Sequence, residues 1–253
     1  MEVHAHTHTE RKKWTHYFWE FLMLFLAVFC GFLAENQREH LVEHQREKKL
    51  IKEMAEDLMK DTAYLQLCIQ QFIPNHLKLM DSAIAFLEQP GHDKDKETYQ
   101  AYLTATEWNY NYMPTERTLS QFRSYGYRLI RNSRVGDGLS ELEIVYKIYM
   151  GINDNVHALQ NEIDESAYVF ADQTIASNLF ITTYPFPNDV HIDLADIPAS
   201  ARINKADKDL NEVINKLKRY NYYIATSLKG DYLRILELQR SIIKLLKEEY
   251  HME

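Results

Sequence analysis

Glycine, proline and cysteine are all scarce in this chain of 253 residues, which has 7, 6 and 2 of them. Glycine and proline stand at about half their usual share or less, which starves the chain of the turns that many short strands need. The composition is that of long helices. Two cysteines, Cys30 and Cys68, build no disulfide framework, and Cys30 lies in an apolar run, so no redox function follows. Positive charge is also lacking: 29 Lys and Arg face 37 Asp and Glu, a net charge of −8. That is the opposite of the footprint a phosphate backbone requires, so a nucleic-acid partner is excluded. No G-x-S-x-G, P-loop, G-x-G-x-x-G or C-x-x-C occurs, and no cofactor is implied. Ser241-Ile-Ile-Lys244 matches the S-x-x-K of penicillin-binding enzymes without either companion motif, as chance allows.

One long apolar run is present. Tyr17 to Ala34 reads YFWEFLMLFLAVFCGFLA, with a single charge, Glu20. At 1.5 Å per residue it makes about 27 Å of helix, close to the thickness of a bilayer's hydrocarbon core. Trp14, Tyr17 and Trp19 form an aromatic belt at its first end, and Arg11, Lys12 and Lys13 precede them. The run is longer than a signal-peptide core, and the AENQREH after it offers no small-x-small cleavage site. The sequence therefore predicts a basic, His-rich tail over 1–16, a transmembrane helix over 17–34 and an extramembrane domain over 35–253.

The start MEVHAHTHTERKKW, the run YFWEFLMLFLAVFCGFLAENQREH and then EKKLIKEMAEDLMKDTAYL resemble the opening of an uncharacterised family of single-pass membrane proteins from Gram-negative bacteria. Those openings share a His-rich start, a basic pair, an aromatic residue, then EFLM and GF-x-AE. Further on, RTLSQFRSYGYRLIRN is similar to a motif in a related domain of unknown function, matched at Leu119, Ser124, Gly126, Leu129 and Ile130. The resemblance implies a membrane-anchored helical protein whose histidines are native, and it supplies no activity. The short tail carries Arg11, Lys12 and Lys13 at the interface, whereas a long domain translocates largely regardless of charge. The expected location is the bacterial inner membrane, with the N-terminus cytoplasmic and the C-terminal domain periplasmic; the alternative puts that domain in the cytoplasm.

Beyond the span, residues 35–72 lack Gly and Pro, so the anchor is expected to run into the domain as one rod. Ile51, Ala55, Leu58, Thr62, Leu65, Ile69 and Phe72 recur at spacings of 4 and 3, which is the pattern of a coiled-coil seam and equally of a helix packed on its own domain. Run backward, the phase meets His44, Ala34, Cys30, Ala27 and Glu20, so small residues in the span permit close helix approach. Pro74 is expected to end or kink the first helix, and Thr115 to cap a short helix closed by Gly126. The stripe Leu139, Leu142, Val145, Ile148, Ile152, Val156, Leu159 and Ile163 predicts a long helix reaching about residue 182, and Leu210 to Leu245 carry the last helical region. The Pro-containing stretch 183–200 reads as an irregular connection. The fold class is all-α, an anchor plus a bundle of five or six helices.

Candidate chemistry is sparse. Glu20, an ionisable group near the membrane, could ring an ion- or proton-conducting oligomer, or sit at headgroup depth beside Trp19. His40, Glu43 and His44 spell H-x-x-E-H, an inverted zinc-hydrolase signature, on an exposed charged helix without a third ligand or pocket. His4, His6 and His8 could chelate a divalent metal weakly from a tail. Arg117, Arg123, Arg128, Arg131 and Arg134 could contact an anionic partner or lipid headgroups, or pair internally with carboxylates. Tyr99, Tyr102, Trp108, Tyr110 and Tyr112 read as core with wet tips. The expectation is a non-enzymatic interaction or scaffold protein with the membrane, itself or another membrane protein as partner.

Overall fold

The computed structural model describes residues 14–89, 95–106, 112–167 and 207–252, with the isolated positions 174, 195, 197 and 198. It is all-α, with no strand among the described residues. In chain order the helices are α1 (Trp14–Leu67), α2 (Ile73–Glu88), α3 (Asp95–Thr106), α4 (Arg117–Tyr125), α5 (Ser133–Ala167), α6 (Asp207–Tyr223) and α7 (Lys229–Tyr250). The chain divides into two units, Met1–Leu50 and Ile51–Glu253.

In the first unit, Trp14 to Leu50 are helical, and nearly every described side chain is exposed, large apolar ones included: Phe21 is 64 % and Leu24 69 % exposed. The N-terminal part of α1 is long and apolar enough to cross a membrane, and none of its apolar window is buried. His4, His6, His8 and the basic triplet Arg11, Lys12 and Lys13 lie outside the described residues.

In the second unit α2 packs on α3 and α6, and α5 packs on α6 and α7. The periodicity over 51–72 marks a packed face: Ile51, Ala55, Leu58, Leu65 and Phe72 are buried, and Thr62 and Ile69 are half-buried. These side chains are consumed in the chain's own core, the second of the two readings their spacing allows. Met80, Ile84 and Leu87 of α2, Ile214 and Leu217 of α6, and Ile235 and Ile242 of α7 complete that core.

Pro74 neither ends the helix nor leaves it regular. A π turn, Cys68–Phe72, separates α1 from α2, with the Ile73 N–H bonded to the Cys68 carbonyl. Proline lacks an N–H and crowds the carbonyl four residues back, so a wider turn just before it lets the chain stay helical. A second π turn, Ile224–Leu228, separates α6 from α7 just ahead of Gly230.

Gly126 closes α4 as expected, at φ 70°, with its N–H bonded to the Arg123 carbonyl. This left-handed position suits glycine. Thr115 is not the N-cap: Glu116 precedes the helix without a side-chain cap, and Thr115 is spent elsewhere. α5 is described over Ser133–Ala167, and its expected continuation to about residue 182 and most of the 183–200 connection lie outside the described residues. The stripe expected on α5 is imperfect, because Ile148 is 45 % exposed while Tyr146 and Tyr149 are buried in its stead.

Candidate functional site

Two carboxylates one helical turn apart on α1, Asp57 and Asp61, are buried on the packed side of that helix. An ionised carboxylate tolerates burial only when its oxygens are bonded. Asp61 accepts from the Thr115 hydroxyl at 2.6 Å, the Thr115 N–H at 2.9 Å and the Tyr112 hydroxyl at 3.1 Å. Asp57 accepts from the Thr118 hydroxyl at 2.6 Å and from the Arg117 guanidinium at 2.8 Å. The pair thus pins Tyr112 to Thr118, the segment leading into α4, onto α1. With both oxygens of each carboxylate engaged by the protein, neither is positioned as a general base toward a substrate.

Tyr112 links this latch to the rest of the core. Its hydroxyl accepts from Gln239 Nε2 at 2.8 Å and lies 3.3 Å from the Tyr146 hydroxyl. Its N–H donates to the Tyr232 hydroxyl at 3.1 Å, and its carbonyl accepts from the Tyr149 hydroxyl at 2.5 Å. The Tyr112 ring lies 5.7 to 6.4 Å from those of Tyr146, Tyr149 and Tyr232, in the tilted and edge-on arrangements that ring quadrupoles favour. Burial raises the Tyr112, Tyr146 and Tyr232 hydroxyls above the ordinary tyrosine range and Tyr149 to about 12, so all four stay neutral donors. Cys68 is buried too, its thiol pushed up to about 11 by burial, which removes the thiolate that reactivity needs.

Beside the latch a groove of about 610 Å³ opens between α5 and the segment entering α4. Met113, Pro114, Tyr146 and Met150 give it an apolar lining, and Glu116, Arg123, Glu143 and Lys147 give it charge. Arg123 bonds Glu143 at 2.8 Å and comes within 3.9 Å of Glu116. Tyr146 joins the two features, since its ring lines the groove and its hydroxyl accepts from Gln239 at 2.8 Å.

Several residues singled out in the sequence fall elsewhere. Glu20 is exposed and lies 3.4 Å from His16, one helical turn back. Ala27, Cys30 and Ala34 are exposed on α1. Of the H-x-x-E-H residues, His40 and Glu43 are exposed and His44 bonds Glu47 at 3.3 Å. Among the described residues no group of three His, Cys, Asp or Glu could hold a metal ion. Arg117, Arg123 and Arg134 pair with Asp57, Glu143 and Glu249, and Arg128 and Arg131 lie exposed around the turn after α4. Tyr99, Tyr102 and Tyr112 are buried, and Trp108 and Tyr110 lie outside the described residues.

Sequence reasoning missed Asp57 and Asp61. The available signal was an acidic i,i+4 pair whose members each sit one residue before a seam position, Leu58 and Thr62. No family model, curated protein or solved structure matches the chain.

Proposed function

We propose that the protein is a membrane-anchored, non-enzymatic interaction or scaffold protein, working as a homo-oligomer or as an accessory subunit of a larger membrane complex. In this reading residues 17–34 span the bacterial inner membrane, the N-terminal tail is cytoplasmic, and residues 35–253 form a periplasmic helical domain. The observation that carries it is the exposed apolar stretch of α1, where Phe21, Leu24 and Phe32 are each more than 60 % exposed. Water does not tolerate a contiguous apolar surface of that size on a soluble helix, and lipid does. The non-enzymatic part rests on the use of the buried polar groups: the Asp57 and Asp61 oxygens bond protein donors, leaving a latch rather than a reaction centre.

Thiol accessibility in spheroplasts tests the anchor and its direction. Gly91→Cys, in a Cys30→Ala background, is expected to react with an impermeant maleimide added outside, and Ala5→Cys only after the inner membrane is opened. Reversed labelling would move the domain to the cytoplasm, and recovery of the chain in the soluble fraction would remove the anchor.

A further inference from the structure

The groove beside the latch presents exposed apolar side chains. Met113 is 76 % and Met150 43 % exposed. At about 100° per residue, Ile144 and Ile148 point to the other side of α5 and take no part in the groove. Single exposed apolar residues are ordinary, but a cluster rimmed by charge is the mark of an interaction surface. Gly151 lies one helical turn beyond Lys147, and a Cβ built there would meet nothing within 4 Å, so a neighbouring chain can approach the backbone.

The charges of the groove select the occupant. Arg123 is committed to Glu143 at 2.8 Å and reaches Glu116 only at 3.9 Å. Lys147 has no ion pair among the described residues. A cation and a loosely held acid therefore share one groove. A partner of uniform charge would pair with one and repel the other. A surface related to this one by a twofold axis meets both, because an isologous contact sets i against j and j against i. We infer that a second copy of the chain docks here, groove against groove, with Lys147 of each copy facing Glu116 of the other. The inference rests on the anchored reading above, since anchors confine the copies to one plane and raise their effective concentration, so a patch smaller than a standard interface suffices.

The test uses the full chain in native membranes. Met150→Cys, in a Cys30→Ala background with Cys68 left buried, is treated with a short bismaleimide and scored for dimer. A specific dimer is expected. Adding Lys147→Glu sets like charges across both symmetric contacts and should reduce it by about tenfold or more, and adding Glu116→Lys as well should restore it to within about twofold. All three positions lie on the surface, and helicity measured in detergent checks that the fold is kept. Absence of a Met150→Cys dimer, or a dimer indifferent to both charge changes, overturns the inference. Cross-linking only from Gly31→Cys in the span would also overturn it, while leaving a membrane-anchored oligomer standing. Loss of the chain from the membrane fraction would instead count against the anchored reading.

Discussion

The two ends of α1 put similar residues to opposite use. Between Tyr17 and Ala34 the large apolar side chains face outward and one carboxylate, Glu20, lies exposed beside His16. Between Ile51 and Leu67 one apolar face, Ile51, Met54, Ala55, Leu58 and Leu65, is buried, and two carboxylates, Asp57 and Asp61, are buried with it. Hydropathy alone does not decide burial. What decides it is whether a side chain's demands are met where it sits: in the anchored reading proposed above hydrocarbon satisfies the first stretch from outside, and hydrogen bonds satisfy the carboxylates of the second from within.

The contrast breaks most visibly at Asp61. Asp61→Ala removes the acceptor of two hydroxyls and one N–H and leaves those donors unmet in the core. The expected loss is about 3 to 5 kcal/mol of unfolding free energy, read by urea denaturation of the detergent-solubilised chain. An unchanged midpoint would mean that the latch does not hold the bundle together.

The complementary change is Leu26→Arg, at the middle of the apolar run. Leu26 is 42 % exposed, and on a surface facing water the substitution would be nearly neutral. In a bilayer it costs about 3 kcal/mol, so the fraction of chain resisting alkaline extraction should fall sharply while the helicity of the bundle is kept. Unchanged extraction would place this stretch in water.

Burial also makes the second region sensitive to acid. His76 of α2 is buried beside Tyr220, their rings 6.4 Å apart, and burial lowers it from the usual 6.5 to about 4. The unfolded chain therefore binds a proton between about pH 6.5 and 4 that the folded chain refuses, and stability falls as pH drops through that window. From pH 7 to pH 5 the loss should be about 2 kcal/mol, and His76→Phe should abolish that part of the slope. Asp164 and Asp231, raised by burial, act in the opposite direction, retaining stability as pH falls. The difference between wild type and His76→Phe isolates the histidine. Identical slopes for the two chains would show that His76 is already solvated in the folded state.

The sequence was most legible where one periodicity had one cause. The spacing from Ile51 to Phe72 found the buried face because only apolar contact sets it, and Gly126 announced the end of α4 because its left-handed φ suits glycine. Legibility failed where tertiary partners decide. Thr115 has the chemistry of a helix cap, but Asp61, 54 positions away, takes both its donors. Ile148 fits the apolar stripe of α5 by spacing, while Tyr146 and Tyr149 take the core because their hydroxyls find partners there. Pro74 reads as an end or a kink, and which of the two is decided by the π turn that carries the helix past it. The groove had no signal at all, since its lining comes from a segment and a helix that meet only in the folded chain.

The smallest effect comes from enlarging an alanine at each end of α1. Ala55 is 4 % exposed, so Ala55→Leu forces three extra carbons into a filled space and should cost about 1.5 kcal/mol in the same urea experiment. Ala27 is exposed within the apolar run, so Ala27→Leu should leave the stability of the bundle unchanged and add slightly to membrane retention. The pair also tests what the small residues of the span are for. If Ala27, Cys30 and Ala34 form a close helix contact in the membrane, Ala27→Leu will weaken cross-linking from Gly31→Cys, because small residues permit the backbones to approach. If docking instead runs through the groove on α5, Ala27→Leu leaves the Met150→Cys dimer intact and Lys147→Glu removes it. The two substitutions thus separate an oligomer built in lipid from one built in water.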